Sequence, residues 1–357
     1  MLLEGVFPAI TTPFYPDGRL YLRKLEQNVA YYGRTQLAGM VVLGSTGEAV
    51  MLGGEEQREV LRTAMNAAPA EKVMIAGIGQ ESVRQTLAMA EVAARLRYDA
   101  VLVRTPHFYR AQFHRSSGPQ LEMLTYYRCV ADRSPLPVVL YSVPPFTQYE
   151  LPLEVVAELA QHPNIIGIKD SSGRPERIAE LAGATKFRKR TATVTAIFTA
   201  VTARMLEAED NAATQDFVVA GDLAQAGKSV AVARPMATLK TRQKETGFAV
   251  LSGATHTLHE SLQAGATGGV LAFAACAPQC CYEIYTAWRE GDAALATEKQ
   301  QRVHQASRYI GGQLGVPGIK YACDRNGFYG GHPRLPLLPL TANAKQEVDA
   351  LMADIRY

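Results

Sequence analysis

The chain has 357 residues, of which 47% are hydrophobic and 20% are charged, and its formal net charge is +3 at pH 7. This composition is typical of a folded globular protein and argues against a disordered chain. The charge is small, and the sequence has no basic stripe interleaved with aromatic residues. We therefore expect no nucleic-acid partner, and small anionic metabolites fit better.

Apolar runs alternate with amphipathic segments from the start of the chain, which indicates a repeating βα unit. Strands are predicted at residues 5–10, 39–43, 72–77, 100–104, 137–142, 165–169, 248–251 and 269–272. Helices are predicted near residues 20–35, 55–68, 82–97, 119–133, 151–161 and 256–264. Eight parallel strands predict an α/β fold of the (β/α)8 TIM-barrel type. An open doubly wound sheet is the competing architecture.

The remainder of the chain has a wholly helical pattern. Helices are predicted near residues 278–290, 293–312, 317–326 and 342–355. We therefore divide the chain into a barrel at 1–277 and a C-terminal helical domain at 278–357.

An inserted segment is predicted between strands 6 and 7 of the barrel. About 80 residues separate Lys169 from Leu251, whereas a barrel of ~250 residues uses about 31 per strand. The excess places an insertion at about 184–243, with a basic cluster at 186–190, a Thr/Ala/Val-rich run at 191–202 and a helix-like 203–210. A surface decoration or a subunit contact is one interpretation, and a regulatory site or an active-site lid is the other.

The location of the protein is predicted from its cysteines and its N-terminus. The five cysteines are an odd number and lack zinc-site spacing, so we interpret them as reduced thiols and expect no bound metal. The first residues run directly into a strand, without a signal peptide or a membrane-spanning stretch. We expect a cytoplasmic protein that has no membrane partner.

Lys169 is the first candidate catalytic residue. It ends an apolar run at 165–168 and precedes a polar loop that begins with Asp170 and Ser171. A strand this hydrophobic is normally buried on both faces, and a buried ammonium needs a counter-charge or loses its proton and becomes a nucleophile. Lys169 therefore occupies the place of a Schiff-base lysine.

Two other strand ends carry polar groups. Residues 44–48 (GSTGE) offer backbone N–H groups and the hydroxyls of Ser45 and Thr46 to an anion such as a carboxylate, although a helix cap is the simpler alternative. Tyr141 ends the fifth strand and is either a core tyrosine or a proton shuttle beside Lys169. Arg104 ends the fourth strand, and it either faces the barrel and binds a substrate carboxylate or points into the helical shell.

With residues 44–48, 141–144 and 167–173 in view, the chain resembles the dihydrodipicolinate synthase and N-acetylneuraminate lyase family of class I aldolases. Within this family, the segments YSVP at 141–144, HPNIIG at 162–167 and GVPGIK at 315–320 are most similar to 4-hydroxy-2-oxoglutarate aldolases.

The resemblance implies roles for particular residues. Lys169 would form an imine with pyruvate or another 2-oxo acid, Tyr141 would relay protons, and Ser45 and Thr46 would hold the substrate carboxylate. The pocket would also be lined by Gly253 and Val270, with Ser171 as a further candidate. No metal or organic cofactor is implied, because the imine itself is the electron sink.

Three positions concern the second substrate and the subunit contact. Phe146 stands where synthases of the family carry an arginine for the carboxylate of aspartate semialdehyde. Phe108 stands where the family has a tyrosine lent by a neighbouring subunit, and the adjacent Tyr109 is its possible substitute. The family's habit of forming dimers and tetramers predicts a homodimer or homotetramer.

These features together predict a lyase that cleaves or forms a C–C bond next to a pyruvate-type 2-oxo acid. The cleavage of 4-hydroxy-2-oxoglutarate is the first hypothesis. Its alternatives are the dihydrodipicolinate synthase reaction of pyruvate with aspartate semialdehyde, and sugar-acid dehydration. A non-catalytic homologue that binds a 2-oxo acid is the hypothesis from another class.

Overall fold

A computed structural model describes residues 1–113, 121–207 and 239–355 of the chain. Its strands are β1 (Gly5–Pro8), β2 (Gly39–Val42), β3 (Val73–Gly77), β4 (Ala100–Arg104), β5 (Val138–Ser142), β6 (Ile165–Asp170), β7 (Arg190–Thr195), β8 (Thr241–Thr246), β9 (Ala249–Ser252) and β10 (Gly268–Leu271). All except β7 and β8 form one eight-stranded parallel sheet in the order β1-β10-β9-β6-β5-β4-β3-β2.

The sheet closes on itself between its first and last strands. A parallel bridge joins Ala9 to Val41, and the backbone N–H of Ile10 donates to the carbonyl of Val41 at 3.0 Å. The predicted (β/α)8 barrel is therefore confirmed, and the open doubly wound alternative is wrong.

Helices surround the barrel and continue beyond its last strand. They are α1 (Leu22–Gly33), α2 (Gly54–Ala67), α3 (Val83–Arg95), α4 (Arg110–Phe113), α5 (Leu121–Arg133), α6 (Pro144–Thr147), α7 (Leu153–Leu159), α8 (Pro175–Thr185), α9 (Leu258–Gln263), α10 (Pro278–Arg289), α11 (Ala293–Ala306), α12 (Gly315–Arg325) and α13 (Ala342–Leu351). A π-helical segment, Ser307–Gln313, follows α11 directly. The predicted C-terminal helical extension is present, whereas the division into two domains stays a prediction.

The strands carry two separate apolar layers because successive side chains alternate between the two faces of a strand. One cluster fills the barrel interior and includes Leu102, Tyr141 and Val270. The larger cluster lies between the strands and the helices, and it also contains residues of α10 and α12. In the described part of the chain, no helix is long and apolar enough to cross a membrane.

The helix after β6 is one element that the sequence pattern did not predict. Residues 175–185 form α8, which begins at Pro175 with Glu176 in its first turn. Proline at the start of a helix costs no hydrogen bond, and an acidic residue there suits the helix dipole. The inserted segment therefore follows α8. Its predicted helix at 203–210 is helical over 203–207, and its last three residues lie outside the described residues.

The described part of the insertion lies against the amino-terminal end of the barrel. Strands β7 and β8 pair antiparallel, and Lys244 of β8 forms an ion pair with Glu4, just before β1. Arg190 donates to the carbonyl of Pro163 at 2.8 Å, before β6. Lys169 lies at the opposite, carboxyl end of its strand. For this part of the insertion, the interpretation as an active-site lid is wrong.

Arg204 joins the insertion to the barrel most closely. Its guanidinium lies 3.5 Å from the carboxylate of Asp99 and donates to the carbonyls of Ala68 and Pro69 at 3.2 and 3.1 Å. Burial raises the pKa of Asp99, and the nearby Arg204 charge opposes this effect. The insertion thus supplies a cation to a carboxylate that the barrel buries.

We expect Arg204→Met to destabilise the protein by about 3–5 kcal/mol, because it leaves the buried Asp99 carboxylate without its cation. Lys189→Ala is the control, since Lys189 pairs with Glu245 at the surface, and it should change the unfolding free energy by less than about 0.5 kcal/mol. Urea unfolding followed by circular dichroism measures both values. Equal effects of the two substitutions would contradict the prediction.

Candidate active site

Three polar side chains share one layer at the carboxyl end of the barrel. The parallel register pairs Arg104 of β4 with Tyr141 of β5, and Tyr141 with Lys169 of β6. Tyr141 belongs to the interior cluster, so the paired positions on either side face the interior as well. The carboxyl end is where catalytic groups gather in barrels of this type.

Lys169 and Tyr141 are in direct contact. The ammonium nitrogen Nζ of Lys169 lies 4.2 Å from the centre of the Tyr141 ring. Both side chains are buried, with 4% and 5% of their surfaces exposed. The structure therefore brings together an amine and a phenol, two of the groups predicted from the sequence, in a buried position.

The charge of Lys169 changes the acidity of Tyr141. Burial alone would raise the pKa of the phenol, but the Lys169 charge and the hydroxyls of Ser45 and Ser171 outweigh burial and lower this pKa below its ordinary value of 10.0. The hydroxyl oxygens of Ser45 and Tyr141 are 3.3 Å apart. A phenol with a lowered pKa beside an amine is suited to proton transfer.

The loop at 44–48 brings Ser45 to Tyr141. Two hydrogen bonds close its turn. The N–H of Gly47 donates to the carbonyl of Gly44 at 3.0 Å, and the N–H of Glu48 donates to the carbonyl of Ser45 at 3.1 Å. Thr46 is buried in the same turn. The helix-cap alternative is not what the structure has, because α2 begins at Gly54 after Gly53.

Glu48 anchors this loop to the C-terminal helices. Its carboxylate lies 2.5 Å from Nζ of Lys320 on α12, and both side chains are 1% exposed. The N–H of Arg334 donates to the same carboxylate at 2.7 Å. Glu48 has a left-handed backbone with φ of +55°, a strained conformation for a non-glycine residue that surrounding contacts must hold.

Gly253 follows β9, and Val270 lies on β10. The N–H of Gly253 donates to the carbonyl of Asp170 at 2.7 Å, and a Cβ at Gly253 would lie 2.0 Å from Oγ of Ser171. Only glycine leaves room for this approach of the loops after β6 and β9. Val270 is buried in the interior cluster.

The three aromatic candidates lie apart from this buried layer. Phe108 and Tyr109 are 72% and 61% exposed, and their rings meet edge to face with their centres 5.0 Å apart. Phe146, at 65%, is exposed as well. These rings thus occupy the rim at the carboxyl end of the barrel, outside the cluster of Ser45, Tyr141 and Lys169.

Two charged residues near the site, Glu81 and Lys320, were not predicted from the sequence. Glu81 accepts a hydrogen bond from Arg104 at 2.9 Å, and Lys320 neutralises Glu48. Glu81 follows β3 in a loop, and Lys320 lies about 270 residues after Glu48, the residue of the barrel loop that it contacts. The GVPGIK motif was the only signal that pointed to Lys320.

The lowered pKa of Tyr141 can be measured. We expect one phenol to ionise below pH 10.0, and Lys169→Met to raise this pKa because burial then acts without the opposing cation. Ultraviolet difference titration of the phenolate band measures it, and Tyr141→Phe identifies the signal by removing it. If the Tyr141→Phe variant still shows a phenolate below pH 10.0, the signal belongs to another tyrosine.

Comparison with known proteins identifies the family of the chain. The model of the dihydrodipicolinate synthetase family matches residues 2–193 and 223–355. The 4-hydroxy-tetrahydrodipicolinate synthase of Acidiphilium cryptum is 27% identical over 354 residues, covering 99% of both chains. That of Xanthomonas campestris pv. campestris is 30% identical over 359 residues, covering 99% of this chain and 95% of the relative.

A solved structure has the same fold. The chloride-inhibited dihydrodipicolinate synthase of Acinetobacter baumannii, complexed with pyruvate, aligns with a TM-score of 0.76 and 24% identity, covering 99% of both chains. The family match extends over most of this chain and includes the strands that carry Ser45, Tyr141 and Lys169. The chain therefore belongs to the dihydrodipicolinate synthetase family, as its motifs predicted.

Proposed function

We propose that this chain is a pyruvate-dependent class I aldolase in which Lys169 forms an imine with the 2-oxo carbon of its substrate. The observation that carries the proposal is the contact between the buried Lys169 amine and the Tyr141 ring at the carboxyl end of the barrel. Buried amines beside an acid/base group are the usual arrangement for imine chemistry.

The proposed reaction starts when the Lys169 ammonium gives a proton to the Tyr141 phenolate, and the resulting neutral amine attacks the ketone carbon. A C–N bond forms, the carbonyl oxygen leaves as water, and Tyr141 supplies and takes up the protons that these two steps require. The imine then accepts the electron pair of the neighbouring carbon, so that a C–C bond at this carbon can break or form. Water releases the product and restores the amine. These steps need no added cofactor.

The remaining predicted residues would orient the 2-oxo acid. Ser45 lies within hydrogen-bond distance of Tyr141, and Thr46 is next to it in the same tight turn. We propose that their hydroxyls and backbone N–H groups bind the carboxylate next to the ketone. Gly253 and Val270 would then form the opposite wall.

The aldehyde partner has two candidates. The names of the relatives support the synthase reaction of pyruvate with aspartate semialdehyde better than they support our first hypothesis. The motifs at 141–144 and 162–167, and the exposed apolar Phe146, favour the cleavage of 4-hydroxy-2-oxoglutarate. In both reactions the aldehyde carries a carboxylate.

The cytoplasmic location stays a prediction from the sequence.

Imine formation has a direct test. Treating the protein with pyruvate and borohydride should add one reduced pyruvate to Lys169, because borohydride converts the imine into a stable amine. Intact-mass measurement and peptide mapping detect this adduct. Lys169→Ala should abolish the adduct, whereas Lys186→Ala, at an exposed lysine, should leave it unchanged. A wild-type protein without the adduct would refute the imine.

The same protein separates an enzyme from a non-catalytic homologue. Pyruvate consumption with aspartate semialdehyde or glyoxylate, or pyruvate release from 4-hydroxy-2-oxoglutarate, would establish turnover and identify the partner. Adduct formation without any of these reactions would favour the binding homologue.

We further propose that the chain forms a homo-oligomer through the rim that carries Phe108, Tyr109 and Phe146. Exposed aromatic side chains grouped on one face are typical of a protein interface. A second copy is the expected occupant, since the family resemblance implies a neighbouring subunit at Phe108.

Light scattering should therefore give a mass above that of the 38.8 kDa chain. Phe108→Asp should shift it towards the monomer, because the carboxylate would have to be buried in the interface. Leu338→Asp is the control, at a 67% exposed position that lies outside both this rim and the insertion. A monomeric wild type would refute the oligomer, and an unchanged mass for Phe108→Asp would refute this interface.

A further inference from the structure

Arg104 faces the interior of the barrel beside the proposed imine site. On β4, Ala100 and Leu102 belong to the interior cluster, and the alternation of side chains places Arg104 on the same face. Its backbone is paired with that of Tyr141. The two orientations that the sequence left open are therefore resolved in favour of the barrel.

A cavity at this point is lined by Arg104 together with Ser45, Gln80 and Tyr141. Gly79 provides the space for the arginine side chain, since a Cβ there would lie 2.7 Å from Cγ of Arg104 and 2.5 Å from its backbone N. The cationic side chain thus shares one cavity with the two hydroxyls of the proposed carboxylate and proton-transfer site.

One edge of the Arg104 guanidinium is held by the protein. Its Nη1 lies 2.9 Å from Oε1 of Glu81, 3.2 Å from the carbonyl of Thr105 and 3.0 Å from Nδ1 of His107. Among the described residues, all hydrogen bonds of this guanidinium involve Nη1. The edge formed by Nε and Nη2 has the geometry that binds a carboxylate through two parallel hydrogen bonds.

Glu81 holds Arg104 in place without using this second edge. Its carboxylate also accepts the backbone N–H groups of His107 and Phe108 at 2.9 and 3.0 Å. Burial opposes ionisation of Glu81, but these N–H groups and Arg104 outweigh burial and lower its pKa. The ionised Glu81 carboxylate holds the guanidinium of Arg104 in place, and the Arg104 side chain is only 15% exposed.

The distance to Lys169 suits a small substrate. Two strand spacings separate the backbones of Arg104 and Lys169, which amounts to about 10 Å. Tyr141 lies between them: it lines the same cavity as Arg104, and Nζ of Lys169 is 4.2 Å from the centre of its ring. A molecule of a few carbons can bridge them.

We propose that Arg104 binds a second carboxylate of the substrate, at the end remote from the carbon that reacts with Lys169. This inference deepens the proposed function and rests on it for the position of the 2-oxo end. It makes Arg104 a specificity residue that selects 2-oxo acids or aldehyde partners with an additional negative charge over neutral ones of the same size.

Calorimetry with two ligands tests Arg104 without requiring turnover or an imine. The probes are 2-oxoglutarate and 2-oxopentanoate, which has the same carbon chain with a methyl group in place of the second carboxylate. Wild type should bind 2-oxoglutarate about 10- to 100-fold more tightly, as expected for a hydrogen-bonded charge pair. Arg104→Met should reduce this ratio to about 1, and Arg104→Lys should give an intermediate ratio because it keeps the charge without the fork.

Arg95→Met is the matched control. It removes the same charge from a surface residue of α3, which is 68% exposed, and should leave the ratio unchanged. A wild type without preference for 2-oxoglutarate, or Arg104→Met with an unchanged ratio, would overturn the inference. Trapping with pyruvate and borohydride on the same variants separates this inference from the proposed function. If Lys169 forms the imine, Arg104→Met should keep the Lys169 adduct. If the proposed function is wrong, wild type itself should lack the adduct.

Discussion

The candidate site depends on one constraint, which is the register of a closed parallel barrel. Neighbouring strands are locked by their backbone hydrogen bonds, so Arg104, Tyr141 and Lys169 lie side by side in the last layer of β4, β5 and β6. A shift of one residue in any of these strands would turn its polar side chain into the helical layer. The barrel thus converts three strand-end residues, distant in sequence, into one group of donors and acceptors.

A second constraint connects the C-terminal helices to this layer. Lys320 of α12 reaches the buried Glu48, and Glu48 ends the turn that carries Ser45 and Thr46. Burial lowers the pKa of Lys320, while the adjacent Glu48 carboxylate opposes this change. Because desolvation offsets most of the gain from a buried ion pair, its clearest consequence is positional. It holds the left-handed backbone of Glu48, and with it the turn facing Tyr141.

The described part of the insertion serves the other end of the barrel. Its contacts through Arg190, Arg204 and Lys244 all reach segments that precede barrel strands. The carboxyl ends of the strands, where Lys169 and Tyr141 lie, are left to the loops of the barrel itself. A long addition to the chain is therefore accommodated without contact between its described part and the candidate site.

The sequence by itself determined the number and type of the barrel strands, because buried parallel strands need continuous apolar runs that are visible in one dimension. It also placed Lys169, Tyr141 and Ser45 at strand ends, and residue motifs identified the family. It did not predict α8, which lies directly before the insertion. The tertiary structure alone decided which way Arg104 faces, that Glu81 holds it, and that Lys320 neutralises Glu48. These pairs are formed by residues from separate elements, and no local pattern records a contact that exists only once the barrel has closed.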